Sequence, residues 1–176
     1  PGADSAMFQE WMGNFLTHTQ DNNATFQAMH TYFDGMDTLS VTEQISFSSD
    51  RKWSAMTFSG VGTLVIGAPE KLCSDKLPEN VLEAQQNGKR VLLAGITQHA
   101  VQKEQPLPEM QLLAEIILTD PLRANAAKTI AAFQQEGVSV KLISGDNPMT
   151  ASAMAQQAQR YYKKYSKDCQ SLSSKS

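Results

Sequence analysis

At the start of the chain, apolar residues recur every three or four positions. Four large ones fall at this spacing: Met7, Trp11, Phe15 and Leu16. The spacing predicts an amphipathic helix over residues 4–17. A similar pattern predicts a second helix over Thr25–Phe33, which ends before Asp34-Gly35. The chain therefore opens with two helices, each of which has one apolar face.

Farther along, apolar and polar residues alternate, as they do in strands with one buried face. The alternation and its breaks predict four strands: Val41–Phe47, Trp53–Phe58, Gly62–Gly67 and Lys89–Thr97. A hairpin is expected at Ser59-Gly60, and a helix over Leu77–Asn87 is expected to end before Gly88. Strands joined in this way, with helices before and between them, predict an α+β fold with an antiparallel sheet and flanking helices.

A loop rich in Pro and Glu, Gln102–Glu109, separates this region from a different pattern. Leu112–Leu118 and Val138–Ile143 are continuous apolar runs, which are typical of strands buried on both faces. A helix after Asp120 would connect them, and Asn147 would begin another helix. Strand, helix, strand, helix with short links predicts a parallel α/β unit, which is part of a doubly wound fold.

Three parts of the chain are therefore expected. Residues 1–108 form an α+β module, residues 109–158 form a partial doubly wound α/β domain, and residues 159–176 form a tail without an apolar period. A single strand–helix–strand unit does not make a stable sheet by itself. We therefore expect the chain to be a piece of a larger protein.

Composition narrows the functional classes. Hydrophobic residues make up 41% of the chain, and a net charge of -3 gives no indication of a nucleic-acid partner. Cys73 and Cys169 form no CxxC motif and have no nearby histidine, so neither a structural disulfide nor a zinc site is expected. No run approaches the roughly 20 apolar residues that span a bilayer, and no signal peptide is recognisable. These features predict a soluble chain in the cytosol.

The first candidate site is the loop Ser144-Gly145-Asp146-Asn147. It follows the carboxyl end of a predicted buried strand, where ligands bind in open α/β sheets. The helix after it would present free backbone amides, which attract phosphate. An ordinary turn with an Asn cap would use the same residues. Neither GxGxxG nor GxxxxGK[ST] is present, so this is not one of the common nucleotide loops.

The second candidate is the segment Phe47–Lys52. An aromatic ring at a strand end can stack on a purine, and Arg51 and Lys52 could meet phosphates. Alternatively, Phe47 fills the core and the following SSDRK stretch is a polar turn, and spacing alone favours that interpretation.

Two further positions could contribute to such a site. The small residues of Gly67-Ala68-Pro69 follow a strand and leave room for a ligand against the backbone, although a plain turn explains them equally. Arg90 opens an apolar strand and could reach a phosphate, or it could be solvated.

Five short blocks occur in one order along the chain: FSSDRK, VIGAPEKL, KRVLLAGIT, TDPLR and ISGDNPMTA. In order and spacing they resemble the P-type cation-transporting ATPases, from about residue 20 to residue 158. The resemblance implies a nucleotide-binding domain that continues into the first part of the phosphorylation domain. It also implies ATP and Mg²⁺ as cofactors, and the remaining cytoplasmic and transmembrane domains of the pump as partners. The parent protein would lie at the cell membrane, with this portion on the cytoplasmic face.

The resemblance also implies roles for individual residues. Phe47 matches the aromatic that packs on adenine, and Lys52 matches a lysine beside the nucleotide. Gly67 and Ala68 match the Gly-Ala of the KGA motif, which lines the adenine pocket. Arg90 matches the arginine that reaches the nucleotide phosphates.

The later blocks are implied to take part in phosphoryl transfer. Ser144, Gly145 and Asp146 match the TGD loop, whose first two residues touch the transferred phosphoryl group. Asp120 and Arg123 match a segment near the hinge between the two domains, although the residues alone favour a structural role, with Asp120 at a helix start and Arg123 in solvent.

The chain departs from the family pattern at several points. Ile66 stands where most members have the lysine of KGA, and Phe26 stands where many members have a glutamate that contacts the adenine amino group. DKTGT, which carries the aspartate nucleophile, is absent from the sequence, as is the magnesium site GDGxND. We therefore expect this chain alone to bind ATP without hydrolysing it, and to supply no complete metal site.

Two other classes of function remain open at this point. A soluble phosphatase of the haloacid dehalogenase type would share the doubly wound part, but the DxD motif it requires is absent. A non-catalytic nucleotide-binding or interaction module would explain the apolar residues at positions 26 and 66.

Overall fold

The computed structural model describes residues 5–73, 76–119, 123, 125–141, 143 and 148–158. Within these residues the chain forms two compact units. The first contains the residues up to Val81 and those from Val91 to Leu118. The second contains Leu82–Arg90 and the described residues that follow Leu118.

Most helices and strands of the first unit fall close to the predicted positions. The helices are α1 (Ser5–His18), α2 (Ala24–Tyr32), α3 (Pro69–Leu72), α4 (Glu79–Gln86) and α5 (Ala126–Gln135). The strands are β1 (Val41–Ile45), β2 (Trp53–Phe58), β3 (Gly62–Gly67), β4 (Arg90–Thr97) and β5 (Gln111–Leu118). Residues 148–158 are also helical.

The strands form one five-stranded antiparallel sheet in the order β1-β2-β3-β4-β5. Each strand lies beside the next one along the chain. Trp53 pairs with Gly67 at one end of β2 and β3, and Phe58 pairs with Gly62 at the other. The antiparallel sheet with helices around it confirms the predicted α+β class.

The core of the first unit joins α1 and α2 to one face of this sheet. Side chains of the two helices and of alternate strand positions form a single apolar cluster: Trp11, Met12, Phe15, Leu16, Phe26, Met29, Met56, Phe58, Leu64, Ile66, Ala94, Ile96 and Ile116. Phe15 stacks on Phe26, with ring centroids 6.1 Å apart and planes 12° from parallel. The apolar faces that the sequence predicted for the two helices are therefore the faces that cover the sheet.

A buried asparagine ties α1 to the segment that leads into β1. The side chain of Asn14 is fully buried. Its Oδ1 atom accepts hydrogen bonds from the backbone N–H groups of Thr38 and Leu39, both at 2.8 Å. Its Nδ2 atom donates to the carbonyl of Glu10 at 2.8 Å and to Thr38 Oγ1 at 3.0 Å. All four hydrogen-bonding positions of this amide, two acceptors and two donors, are therefore used.

The strand β5 lies in a different sheet from the one we predicted. The apolar run Leu112–Leu118 was expected to begin a parallel unit and to be buried on both faces. Instead β5 lies beside β4 at the edge of the antiparallel sheet, and Leu112 and Ile117 are 40% and 47% exposed. An apolar run indicates a strand, but its composition does not specify which sheet the strand joins.

The second unit is described in part. The helix α5 is followed by Gly137, whose φ of 75° is suited to glycine at a helix end. Thr150 Oγ1 donates to the carbonyl of Lys89 at 3.3 Å, and Gln157 Nε2 donates to the carbonyl of Asn87 at 3.0 Å. We predicted a strand over Val138–Ile143, but residues 138–141 and 143 form no strand.

Candidate nucleotide-binding site

The ring of Phe47 lies outside the apolar core. Phe47 follows the end of β1, and its side chain is 39% exposed. Its backbone N–H donates to Asp21 Oδ2 at 2.9 Å, so this residue is held by a side chain from the α1–α2 link. A partly exposed ring at a strand end has a surface on which a planar base can stack.

The turn after Phe47 closes at Lys52. The backbone N–H of Lys52 donates to the carbonyl of Ser48 at 2.6 Å. Lys52 has a φ of 62°, which is unusual for a residue with a side chain and often accompanies functional turns. Its carbonyl accepts from the N–H of Ala68 at 2.9 Å, and its Nζ lies 3.2 Å from Glu70 Oε1. Lys52 is therefore attached to the beginning of α3 by both its backbone and its side chain.

Arg51 contacts its own chain on both sides of the turn. Its Nη2 donates to the carbonyl of Ser46 at 2.7 Å. Its guanidinium lies 5.3 Å from the centre of the Trp53 ring, which is within the range of a cation–π interaction. We predicted that Arg51 could meet phosphates, whereas here it contacts a backbone carbonyl and an aromatic ring.

Gly67 and Ala68 lie directly beside this turn. A Cβ atom on Gly67 would lie 2.5 Å from Trp53 Cβ and 2.7 Å from the carbonyl oxygen of Lys52. The space on that side of Gly67 is therefore filled by protein. The structure thus brings together two sequence-predicted blocks, Phe47–Lys52 and Gly67-Ala68.

The two departures from the family pattern lie in the core. Phe26 is 3% exposed and Ile66 is 2% exposed, and both belong to the same apolar cluster. Phe26 stacks on Phe15, and Ile66 is one of the strand residues of the cluster. An apolar side chain at each of these positions is therefore consistent with its surroundings.

The remaining predicted residues belong to the second unit or are not described. Arg90 is the first residue of β4 and is partly exposed, and Arg123 is exposed. Asp120, Ser144, Gly145 and Asp146 lie outside the described residues.

Sequence reasoning missed two residues that hold this site together. Asp21 was treated as part of a break between helices, because its partner Phe47 is 26 positions away and no local pattern links them. Glu70 follows GAP within one of the quoted blocks. The ion pair between Lys52 and Glu70 could be predicted only once the blocks FSSDRK and VIGAPEKL were known to lie side by side.

A cleft of about 920 Å³ lies next to Trp53 and α3. Cationic and anionic side chains line it in equal numbers: Arg51, Lys71, Lys76 and Lys103, and Asp50, Glu70, Glu104 and Glu109. This balance does not favour a ligand of either charge. Within the described part of the chain, no cluster of three or more His, Cys, Asp or Glu side chains could bind a metal ion. The described helices also include none with the length and apolar character needed to span a bilayer.

Comparison with known proteins indicates the family. No family model matches the chain. It is 39% identical over 147 residues, 82% of its length, to a probable cation-transporting ATPase, exp7, of Streptococcus pneumoniae. It is 34% identical over 138 residues, 76% of its length, to the calcium-transporting ATPase CtpE of Mycobacterium bovis. It is 31% identical over 105 residues, 57% of its length, to a probable copper-importing P-type ATPase A of Enterococcus hirae.

These relatives are much longer than the region of similarity. The matched region spans 19% of the streptococcal protein, 17% of the mycobacterial protein and 13% of the enterococcal protein. The chain therefore belongs to the cation-transporting P-type ATPases, and it corresponds to a segment of such a protein.

Proposed function

We propose that this chain is the ATP-binding portion of a cation pump and positions ATP for phosphoryl transfer to an aspartate outside the chain. The observation that carries the proposal is the contact between two blocks that the resemblance assigns to the adenine pocket. The turn from Phe47 to Lys52 is hydrogen-bonded to Ala68, and the Phe47 ring beside it is partly exposed. Similarity to cation-transporting ATPases over most of the chain supports the same function.

In this proposal Phe47 provides stacking for the adenine, and the backbone of Gly67 and Ala68 lines the pocket. Lys52 lies beside the nucleotide, and its present partner is Glu70, at 3.2 Å. Such exposed ion pairs contribute only about 0–1 kcal/mol. A phosphate group can therefore compete with Glu70 for the ammonium group of Lys52.

The remaining residues of the proposed site act on the phosphates. Arg90 is proposed to reach the nucleotide phosphates. The loop Ser144-Gly145-Asp146 is proposed to receive the phosphoryl group that is transferred, with Ser144 and Gly145 touching it. In phosphoryl transfer to an aspartate, a carboxylate oxygen attacks the γ-phosphorus, the bond to the β,γ-bridging oxygen breaks, and an aspartyl phosphate forms as ADP leaves. The work of this chain is to place the nucleotide, since positioning accounts for much of such catalysis.

The division into domains is part of the proposal. We propose a nucleotide-binding domain followed by the first part of a doubly wound phosphorylation domain of the haloacid dehalogenase type, on the cytoplasmic side of the membrane in the parent pump. The sequence placed the boundary after residue 108, which falls before β5. Because β5 pairs within the sheet of the first unit, we place the end of the nucleotide-binding domain after Leu118.

The described residues do not fit a complete magnesium site, because no group of three or more candidate ligands occurs among them. Because the GDGxND motif is also absent from the sequence, we propose that the Mg²⁺ accompanying ATP is held mostly by residues outside this chain. Asp146, the one carboxylate that the resemblance places near the phosphates, lies outside the described residues.

Replacing Phe47 by alanine is expected to weaken ATP binding by about tenfold, because base–aromatic stacking contributes about 1–3 kcal/mol. The measurement is a titration with ATP followed by NMR chemical shifts of backbone amides. Tyr32→Ala is the matched control, since Tyr32 is an aromatic residue in the same unit with 81% exposure and no proposed role. Nucleotide-induced shifts that are unchanged in Phe47→Ala would remove the adenine role of this ring.

The purified chain is expected to bind ATP without releasing phosphate, because DKTGT and its nucleophile are absent from the sequence. Phosphate release is measured in the same sample in which binding has been shown, with heat-denatured chain as the blank. Sustained ATP hydrolysis above that blank would contradict the proposal.

One observation favours a second candidate, a non-catalytic nucleotide-binding or interaction module. Positions 26 and 66 hold buried apolar residues, Phe26 and Ile66, where the resemblance implies polar groups that contact the nucleotide. Titrations with ATP, AMP and GTP separate the candidates. Saturable binding that prefers adenine supports the pump function, and an absence of binding supports the interaction module.

A further inference from the structure

The peptide group between Ser46 and Phe47 is held at both of its polar atoms. The carbonyl oxygen of Ser46 accepts a hydrogen bond from Arg51 Nη2 at 2.7 Å. The N–H of Phe47 donates to Asp21 Oδ2 at 2.9 Å. Both atoms belong to one rigid peptide plane. Two bonds on its opposite sides therefore fix the rotation of that plane, and with it the position of the Phe47 Cα atom from which the ring projects.

The sheet does not hold this peptide. The strand β1 ends at Ile45, which pairs with Ala55 and forms the last pair between β1 and β2. Beyond that pair, Asp21 and Arg51 take the place of the neighbouring strand. The sequence predicted that β1 would continue to Phe47. Asp21 and Arg51 therefore bond the two backbone groups that we expected to pair with a neighbouring strand.

Both holding residues are themselves kept in place. The guanidinium of Arg51 lies over the ring of Trp53, a buried residue at the start of β2. The backbone N–H of Asp21 donates to Thr19 Oγ1 at 3.3 Å in the link after α1. The Phe47 peptide is therefore connected to β2 on one side and to the α1–α2 link on the other.

We propose that Asp21 and Arg51 are positioning residues for nucleotide binding, which act by fixing the backbone that carries the Phe47 ring before the base arrives. This inference rests on the proposed function, in which Phe47 stacks on adenine. A group that is already oriented loses less conformational freedom on binding, and so gives tighter binding with the same contacts. Arg51 then acts through Phe47 and makes no direct contact with phosphate.

Asp21 offers a pair of variants that are matched in charge. Asp21→Asn and Asp21→Ala both remove the carboxylate charge, but only asparagine retains an oxygen that can accept from the N–H of Phe47. Asp21→Ala is expected to weaken the binding of adenosine and of ATP by about three- to tenfold, and Asp21→Asn by no more than about twofold. Equal affinities of the two variants would overturn the role of Asp21.

Comparing the binding of adenosine with that of ATP shows whether Arg51 acts by positioning Phe47 or by contacting phosphate, because adenosine has no phosphate groups. Arg51→Met removes both the donor and the charge, whereas Arg51→Lys keeps a donor and the charge. If Arg51 acts through Phe47, Arg51→Met is expected to weaken adenosine binding by about three- to tenfold, which is the loss also expected for Asp21→Ala. A loss confined to ATP would show a direct phosphate contact and overturn the inference for Arg51.

A double-mutant cycle with Phe47→Ala tests whether both residues act through the ring. In the Phe47→Ala chain, Asp21→Ala is expected to cause no further loss of adenosine affinity. A further loss of the same size as in the unmodified chain would overturn the inference while leaving the proposed function intact. If Phe47→Ala alone leaves adenosine binding unchanged, the adenine role of Phe47 and this inference both fail.

Discussion

Replacement of Asn14 by alanine is expected to lower the free energy of unfolding of the first unit by about 2–4 kcal/mol. The fully buried amide accepts from two backbone N–H groups and donates to two oxygen atoms. Alanine removes all four hydrogen bonds and leaves the N–H groups of Thr38 and Leu39 without this acceptor. The hydrogen bonds of Thr38 Oγ1 to Glu10 and of His18 to Asp37 would still join this segment to α1, but both are exposed.

Unfolding in urea, followed by tryptophan fluorescence, measures this effect. Both tryptophans of the chain, Trp11 and Trp53, belong to the first unit, so the signal reports on that unit. Asn80→Ala is the matched control, because Asn80 also lies in a helix and donates to a side chain, Glu115, but this contact is exposed. Its cost is expected to stay below about 1 kcal/mol. A similar cost for both variants would contradict the role assigned to the buried network.

Replacement of Gly67 by alanine is expected to destabilise the first unit by about 2 kcal/mol, within the range measured for overpacking. The added Cβ would lie 2.5 Å from Trp53 Cβ and 2.7 Å from the carbonyl oxygen of Lys52. Neither atom is the end of a flexible side chain, so the turn or the strand must shift. The reduced freedom of alanine in the unfolded chain offsets only about 0.4–1 kcal/mol of this cost.

Gly95→Ala provides the control for Gly67→Ala. Gly95 lies in the neighbouring strand β4, and a Cβ there would lie 2.8 Å from the sulfur of Met110, a flexible side chain that can move. We expect Gly95→Ala to have the smaller cost. If Gly67→Ala kept full stability but bound ATP less tightly, Gly67 would instead serve to leave room for the ligand.

The secondary structure of the first unit could largely be predicted from sequence. The bounds of β2 and β3 match the prediction, because their alternating residues face the core on one side and Ser59-Gly60 lies between them. The end of β1 was predicted two residues too late. Phe47 continues the apolar alternation, but its N–H is taken by Asp21 instead of by a neighbouring strand, and no local pattern shows that contact.

The candidate site was predictable as a set of blocks, but its internal contacts were not. Phe47, Lys52, Gly67 and Ala68 were identified from the sequence, and the structure places Lys52 against Ala68. The direction of each side chain depends on partners distant in sequence. The pairing of Lys52 with Glu70 and the position of Arg51 over Trp53 are examples, since neither contact could be read from the sequence.

The placement of β5 shows that the sequence can predict a strand without predicting which sheet the strand joins. Leu112–Leu118 was correctly predicted to be a strand, but its apolar residues fit a parallel strand in one domain as well as an edge strand in another. The edge position leaves Leu112 and Ile117 exposed, which composition alone does not reveal.

The order of the strands in the sheet affects how the first unit folds during translation. Each strand of the sheet pairs with the one that precedes it, so each strand emerging from the ribosome meets a partner that has already been synthesised. Contacts between near neighbours in sequence also favour rapid folding. The sheet can therefore grow strand by strand during translation, and the nascent chain exposes few unpaired edges to aggregation.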